Sequence, residues 1–578
     1  MKYKNTHLLL FGLLALLCGT KAWTTPPRPS KQGSITSYRK PLTGAFTWDR
    51  YNANGKRLYE SNIPLVDTSS EGAVSKAKSI VQLLMNFFKH HVRRLLWPGL
   101  NKNFDPNFGA PLPETAPLGC PFFGNNVLAG SKEKGPEYFY SETSAKLGHP
   151  STWRFYFMGF PITSVSGSKN VNSVLKSKKF DVLSITSDPT SKKKKKKKRE
   201  VLFSSNSVLF ENDRKKHQFL RRLMGKAFTT SAIQDATAKI VEIATEQLDT
   251  VKDGGTVEVE EACQHFSLDV AGRQILGLDL KGKEEMERFR RAVDVYVNSL
   301  LKVEAYLTFP GNTLLPSFRA RRYLVSKIKE KVAALEENGP DGSTLSAMVF
   351  ASDDDSNKKL TLEEIVENSL ILLIAGTETS ASTLATAMFL LGLHPEVFEK
   401  LVQEQHKLVS VHGETITREV LGNCPYLDAV IHETMRIKPL AVLNTRIAKE
   451  SMVLDGKQIP KGQAVFVNVR LTHELDPKIT SSTSLDPINN FVPDRWLDPE
   501  TRPMEDFIPF GAGPRRCLGE PLAMAEMRVF LSLVARRVKH FELLGEGSDK
   551  TKPIRWNPRS IIPKPFGGVP IRVTTGTD

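Results

Sequence analysis

The chain has 578 residues, of which 40% are hydrophobic and 25% charged, the make-up of a globular protein with a substantial core. Its five cysteines (Cys18, Cys120, Cys263, Cys424, Cys517) follow no regular spacing, so no disulfide framework is implied. The formal charge of +17 draws on a single run from Lys192 to Arg199, and does not by itself argue for a nucleic-acid partner.

At the N-terminus, Lys2 and Lys4 precede an apolar run from Leu8 to Cys18, and small residues follow up to Ala22. The run falls short of the ~20 apolar residues that span a bilayer. This order reads as a signal peptide over 1–22, with an uncleaved membrane anchor as the alternative. From Trp23 to Arg57 the chain is rich in Ser, Thr, Pro and basic residues, and Asp49 is its only acid, the composition of an organelle transit peptide. A signal peptide, an aromatic residue past the cut and a transit-like stretch together resemble the two-part plastid-targeting leaders of diatoms and related algae. That resemblance implies a plastid reached through the endoplasmic reticulum; the alternative is the endoplasmic reticulum membrane itself. Ser75 to Leu96 then sets Ile80, Leu83, Leu84, Phe87 and Phe88 against Lys76, Lys78, Lys89, Arg93 and Arg94. Such a basic amphipathic helix suits either an anionic membrane surface or packing on a neighbouring domain. The expected organisation is a signal peptide over 1–22, a leader with this helix over 23–106, and a main domain over 107–578.

Within the main domain, Arg154 to Phe160 and Ile162 to Ser166 are β-rich in composition and predict a hairpin. The Lys-rich stretch at 191–199 reads as an exposed loop insertion, because like charges in a row repel and stay solvated. Asn212 to Phe228 predicts a helix with His217 and Arg221 four residues apart, a pair that alone would mark a solvated face. The chain is helical in pattern to about Glu336, and Glu337–Gly342 and Asp353–Asn357 read as loops.

Thr361-Leu-Glu-Glu364 is a capping box that opens a long helix running to Leu393, ahead of His394-Pro395. The helix is apolar nearly all round, which predicts burial. Its middle, Ala375-Gly-Thr-Glu-Thr-Ser380, breaks that pattern. Gly376 costs about 1 kcal/mol relative to alanine, and Glu378 carries a charge that needs a partner or water. Gly376 leaves room for a ligand, and Thr379 can bond a carbonyl or hold a water. Such violations in a strong element point to function. Pro425 to Arg436 predicts another helix, with Glu433 and Arg436 one turn apart.

The most informative stretch is Phe507-Ile-Pro-Phe-Gly-Ala-Gly-Pro-Arg-Arg-Cys-Leu-Gly-Glu520. A lone cysteine, Cys517, sits in a glycine-rich turn directly before a helical pattern from Pro521 to Arg537. The positive end of that helix and its free N–H groups favour the thiolate, and Arg515 and Arg516 add charge nearby. Glycines allow a flat ligand to approach the backbone closely. With no second cysteine near for a zinc site, the pattern suits one thiolate on a metal held mainly by something else, haem above all. The alternative is a buried free cysteine in a turn.

Phe510, Gly513, Arg515, Cys517 and Gly519 match Phe-x-x-Gly-x-Arg-x-Cys-x-Gly, so the stretch resembles the haem-binding loop of the cytochrome P450 family. Ala375 to Ser380 resembles the family's oxygen-activation motif. Glu433-x-x-Arg436, with Arg495 in Phe491-Val-Pro-Asp-Arg-Trp496, resembles its Glu/Arg scaffold, and Pro111 to Asn125 resembles the hinge that opens its catalytic domain. The resemblance runs from about residue 107 to the end. It implies a mainly α fold with a small β-rich lobe, and heme b axially ligated by Cys517. It further implies propionate contacts from His217, Arg221 and Arg446, and a structural role for Glu433, Arg436 and Arg495. The substrate pocket is expected at Ala375, Gly376, Leu440, Val442 and Leu443, with Glu378 and Thr379 as the proton-delivering pair. His217 stands where the family more often has Trp, a departure that occurs in its retinoic-acid/sterol hydroxylase-like branch.

The implied activity is O2-dependent hydroxylation of an apolar, isoprenoid-derived small molecule: a retinoid, apocarotenoid, carotenoid or sterol. The alternatives are a P450-fold isomerase or dehydratase acting on hydroperoxides, and a non-catalytic haem-binding protein. No flavin or iron–sulfur domain is read in the chain, so electrons are expected from ferredoxin or from NADPH–cytochrome P450 reductase. Arg222 and Arg516 are candidate docking charges for an acidic donor. A membrane surface is an expected partner; nucleic acid is not.

Overall fold

The computed structural model describes residues 104–116, 138–157, 160–182, 202, 206–280, 282–299, 314–440, 445–479, 485–503, 506–557 and 564–575. The signal peptide, the amphipathic leader helix, the Lys-rich run, Val442 and Leu443 lie outside these residues.

Five helices position the site and are labelled in chain order: α1 (Arg214–Gly225), α2 (Val259–Val270), α3 (Leu362–Leu393), α4 (Pro425–Ile437) and α5 (Glu520–Arg537). The capping box expected for α3 is formed, with Glu364 N–H donating to Thr361 Oγ1 at 3.3 Å and Thr361 N–H to Glu364 Oε2 at 3.0 Å. The helix ends at Leu393, because Pro395 cannot continue it. Its 32 residues span about 48 Å. By length and composition α3 could cross a membrane, yet 67% of its most apolar window is buried in the protein. It is the core helix against which α2, α4, α5 and Pro316–Asn338 pack. That last helix runs to Asn338, so the loop expected from Glu337 begins two residues later, at Gly339, whose φ of +86° stops the helix.

The β-rich lobe is a six-stranded sheet in the order Glu114–Thr115, Thr152–Phe157, Phe160–Val165, Ala464–Val467, Thr445–Ala448, Phe180–Val182. The predicted hairpin is its second and third strands, in antiparallel register from Thr152↔Val165 to Phe157↔Phe160. Trp153 and Phe155 point into an aromatic cluster with Phe139, Tyr140 and Phe466, while Val165, Val465 and Val467 face a separate aliphatic one. The alternation follows from the period-two pleat. A three-stranded sheet (Val538–Leu543, Pro570–Thr575, Thr256–Glu258) closes the helical side.

Candidate active site

The cysteine loop is a tight turn. Cys517 N–H donates to Phe510 O at 2.9 Å, and Arg516 N–H to Gly513 O at 3.0 Å. Gly513 has φ +68°, and a Cβ there would stand 2.6 Å from Leu175 O, so only glycine lets the loop rest on the end of helix Ser168–Leu175. Of the described cysteines, Cys263 and Cys424 are buried and Cys517 alone is exposed, at the N-terminus of α5. The residue is exposed, yet the protein packed around the thiol still pushes its pKa up by desolvation. The N–H groups of Gly519 and Glu520 and the Arg221 guanidinium act the other way. The helix start thus favours the thiolate as expected, but in the protein by itself desolvation is the larger influence. Arg516, as expected, acts electrostatically on the sulfur while engaged with Glu520 at 2.6 Å, and Arg221, which was not expected there, acts on it as well; Arg515 turns to the carbonyls of Val208 and Glu211.

His217, Arg221, Arg446 and Arg515 converge electrostatically from α1, the sheet and the loop. Burial, then Arg515 and Arg221, push His217 down to about 4, so it is neutral. Burial, then Arg515, lower Arg446 to about 10. Arg515 and Arg221 are lowered chiefly by burial as well. Among the described residues, side-chain hydrogen bonds from Arg446 and Arg515 reach only backbone carbonyls, such as Thr445 O at 3.2 Å and Val208 O at 3.0 Å. Among the described residues, none of the three guanidiniums has a carboxylate within ion-pair distance. Half-buried cations that repel one another call for an anionic ligand carrying more than one charge. Haem, with two carboxylates and an iron that takes a thiolate, fits this set.

Behind the loop, Glu433 is enclosed by donors. Arg436 gives it two hydrogen bonds of 2.8 Å, Arg495 Nε one of 3.0 Å, Trp496 Nε1 one of 2.9 Å and Val492 N–H one of 3.0 Å. Glu433 and Arg436 are 0% and 1% exposed, so this is a buried, fully satisfied network. Sequence reasoning found the three charged members and missed Trp496 and His473. His473 bridges α4 to the start of the cysteine loop: its Nε2 accepts from Ile508 N–H at 3.2 Å and its Nδ1 donates to Arg436 O at 3.3 Å. The first bond fixes the tautomer, and burial holds the ring neutral by pushing it down to about 3. Nothing in the local sequence of His473 signals this role, since its partners are remote in the chain.

On α3, Leu372, Ala375, Gly376 and Thr379 share an i, i+3, i+4, i+7 face that is partly exposed, with Ala375 the most open. Thr379 Oγ1 donates to Ala375 O at 2.5 Å, and the helix stays continuous. A Cβ on Gly376 would lie 3.0 Å from Ile275 Cδ1, so the glycine also serves close approach of the turn after α2. Glu378 and Thr379 do not meet. Glu378 Oε1 accepts from Gln264 Nε2 at 3.1 Å, and its Oε2 lies 3.5 Å from Lys564 Nζ. Burial, the largest influence, disfavours the Lys564 ammonium, but Glu378 and Glu260 outweigh it and hold its pKa above the usual. Gln264, Lys564 and Glu260 escaped the sequence analysis because only the fold brings α2 and the C-terminal segment to α3. So did Glu526 on α5, fully buried and bonded to Ser380, which burial raises to about 8.

Leu440 is half-buried just past α4. Arg222 pairs with Asp353 and Arg516 with Glu520, and both guanidiniums stay about half exposed.

Comparison with known proteins agrees with this geometry. The family model described as Cytochrome P450 matches residues 113–567. Cytochrome P450 26B1 of Danio rerio is 28% identical over 439 residues, 75% of this chain and 81% of its own. Cytochrome P450 26A1 of Gallus gallus is 26% identical, covering 80% and 92%. Cyclooctat-9-en-7-ol 5-monooxygenase of Streptomyces melanosporofaciens is 29% identical, covering 56% and 70%. Among solved structures, retinoic acid bound cyanobacterial CYP120A1 superposes with a TM-score of 0.66 at 23% identity, covering 81% of this chain and all of that one. A thiol at a helix start, cations awaiting an anion and a match over most of the domain converge: this chain belongs to the cytochrome P450 family, whose members are monooxygenases carrying a thiolate-ligated haem.

Proposed function

We propose that the protein hydroxylates an apolar, isoprenoid-derived molecule of the retinoid, apocarotenoid, carotenoid or sterol class. The carrying observation is the ligand chemistry of its relatives: one is described with retinoic acid bound, and another is named for oxidising cyclooctat-9-en-7-ol. The open apolar face of α3 at Leu372, Ala375 and Gly376 supports a hydrocarbon-rich partner.

Haem b, ligated by Cys517, supplies the chemistry that activates O2 for insertion into a C–H bond. The chain's own residues do the rest. His217, Arg221, Arg446 and Arg515 bind the two propionates and are relieved of mutual repulsion by them. Phe510, Gly513 and Gly519 shape the loop that presents Cys517, and the Glu433–Arg436–Arg495 network keeps that loop in register. Ala375 and Gly376 on α3, with Leu440 past α4, would offer an apolar surface that excludes water from the reacting carbon. Thr379 Oγ1 already donates to Ala375 O, so its lone pairs are free to accept from a water on the open face. Glu378, adjacent to Thr379 in sequence, is the acid proposed to supply protons to this hydroxyl.

An external protein supplies electrons: ferredoxin in a plastid, or NADPH–cytochrome P450 reductase at the endoplasmic reticulum. The composition of 1–57 supports the plastid, reached through the endoplasmic reticulum, and the basic amphipathic stretch at 75–96 supports residence on a membrane surface.

The test is a spin-state titration of the purified holoprotein, lacking residues 1–57, against all-trans-retinoic acid, a C27 apocarotenoid, β-carotene and cholesterol. A saturable low-to-high-spin Soret shift with one class is expected and names the class to take into turnover. No shift with any of them, in a protein whose reduced CO complex still reports thiolate ligation, overturns the isoprenoid assignment and leaves the monooxygenase.

A further inference from the structure

A cavity of about 340 Å³ lies between helix Thr230–Leu248, α2, α3, α5 and the three-stranded sheet, and none of the residues assigned above to haem or oxygen lines it. Its volume is in the range of small-molecule sites. The floor is made of core residues: Met388 of α3, Phe530 and Val534 of α5, and Val573 of the middle strand. Val251 and, on the edge strand Thr256–Glu258, Val257 close its sides and are half-buried. Met388 follows Thr379 by two and a half helical turns, so it lies on the opposite face of α3 and about 14 Å further along. The cavity is therefore separate from the side of α3 that carries Ala375, Gly376 and Thr379.

The exposed lining residues Thr250, Lys252 and Thr256 mark the mouth. The turn that carries Lys252 is fixed to the sheet. Gly254 N–H donates to Val573 O at 2.8 Å, Val573 N–H to Gly255 O at 3.0 Å, and Gly255 N–H to Lys252 O at 3.0 Å. The acids on either side of the lysine are occupied elsewhere: Asp249 pairs with Arg537 at 2.5 Å, and Asp253 Oδ1 accepts from Thr575 N–H at 2.7 Å. Among the described residues no carboxylate lies within ion-pair distance of Lys252, so its ammonium is available to a ligand at the mouth.

Apolar walls with one unpaired ammonium at the rim suit an amphiphile with a single anionic head. At ~30 Å³ for each water-sized group, the volume takes about eleven heavy atoms, the tail of a twelve-carbon fatty acid. We infer that this cavity is a second binding site, for a single-chain monocarboxylate whose tail lies against Phe530, Val534 and Val573 and whose carboxylate meets Lys252. The occupant is not a substrate, because α3 itself stands between it and Thr379. It acts on the enzyme only through the packing of α3 and α5, which it touches together. The site is independent of the substrate class proposed above.

The experiment is calorimetry on the haem-loaded ferric protein, with the haem pocket closed by clotrimazole, an azole that ligates haem iron. The probes are laurate and dodecyltrimethylammonium, which share a chain and differ in the sign of the head, both below micelle formation. Laurate is expected to bind one to one and to raise the thermal midpoint as its concentration rises. Val257→Trp and Val251→Trp fill the cavity from its sides, and each is expected to weaken laurate about tenfold or more while the azole spectrum of the haem stays unchanged. Lys252→Glu is expected to weaken laurate about tenfold, the reversal of one exposed ion pair, and to strengthen dodecyltrimethylammonium by a similar factor. Should one tryptophan variant not fold, the other and Lys252→Glu decide. Absence of laurate binding to the azole-closed wild type overturns the site. Binding that persists unchanged in the tryptophan variants overturns its location, and equal affinity for the two probes in both wild type and Lys252→Glu overturns the role of Lys252.

Discussion

Glu433 and Arg436 face each other one helical turn apart on α4, joined by two hydrogen bonds of 2.8 Å and withdrawn from solvent. On a helix surface this spacing stabilises by roughly a few tenths of a kcal/mol. Here Arg495, Trp496 Nε1 and Val492 N–H complete the shell of the carboxylate, so removing either partner strands a buried charge. Arg436→Ala is expected to cost about 3–5 kcal/mol. Arg436→Lys keeps the charge, loses the two-pronged contact and falls between. Thermal unfolding and the haem-to-protein absorbance ratio measure both. A wild-type midpoint for Arg436→Ala would contradict a buried network.

Burial, and then Arg515, disfavour the Arg446 cation in the protein without haem. Arg446→Met is therefore expected to raise the midpoint of the haem-free protein while lowering haem affinity about tenfold, the loss of one charge-assisted contact. Haem transfer to excess apomyoglobin and calorimetry of the haem-free form give the two numbers. A change of the same sign in both would remove the propionate assignment.

His473 titrates near 6.5 when unfolded and only near 3 when folded, because it is buried between Arg436 O and Ile508 N–H. The unfolded chain binds the proton first, so the stabilisation is present above pH 6.5 and is lost as pH falls from 6.5 toward 3. His473→Phe is expected to be less stable at pH 7, through the two lost hydrogen bonds, yet to lose less between pH 7 and pH 4.5. Midpoints at the two pH values test the difference of slopes.

Glu526 runs the other way. Burial raises its carboxyl to about 8, so the folded protein holds the proton longer than the unfolded chain does. That stability is fully present below pH 4.5 and lost as pH rises through 8. Glu526→Gln keeps the shape and the contact to Ser380 without the ionisation. Its midpoint is expected to match wild type at pH 4.5 and to exceed it by a few degrees at pH 9, where a few kcal/mol shift the midpoint of a chain this long by about that much.

Local chemistry in this chain was legible from order alone. The capping box at Thr361 and Glu364, the hairpin through Phe160, the turn before α5 and the i, i+3 spacing of Glu433 and Arg436 depend on neighbours within a few residues. Backbone sterics and side-chain reach act at that range, so sequence by itself determined the elements, the lone thiol at a helix start and the cofactor it suits. Pairing across long separations was not legible. Glu378 looked like the partner of Thr379 because they are adjacent, but consecutive residues on a helix point about 100° apart. The fold turned one to the open face and the other to Gln264 and Lys564. Arg222 and Arg516 looked free for a partner, and the fold gave them Asp353 and Glu520. Only tertiary structure decided which charges meet, because desolvation favours a counter-charge for a half-buried ion, and whether a neighbour supplies one is set by packing, not by position in the chain.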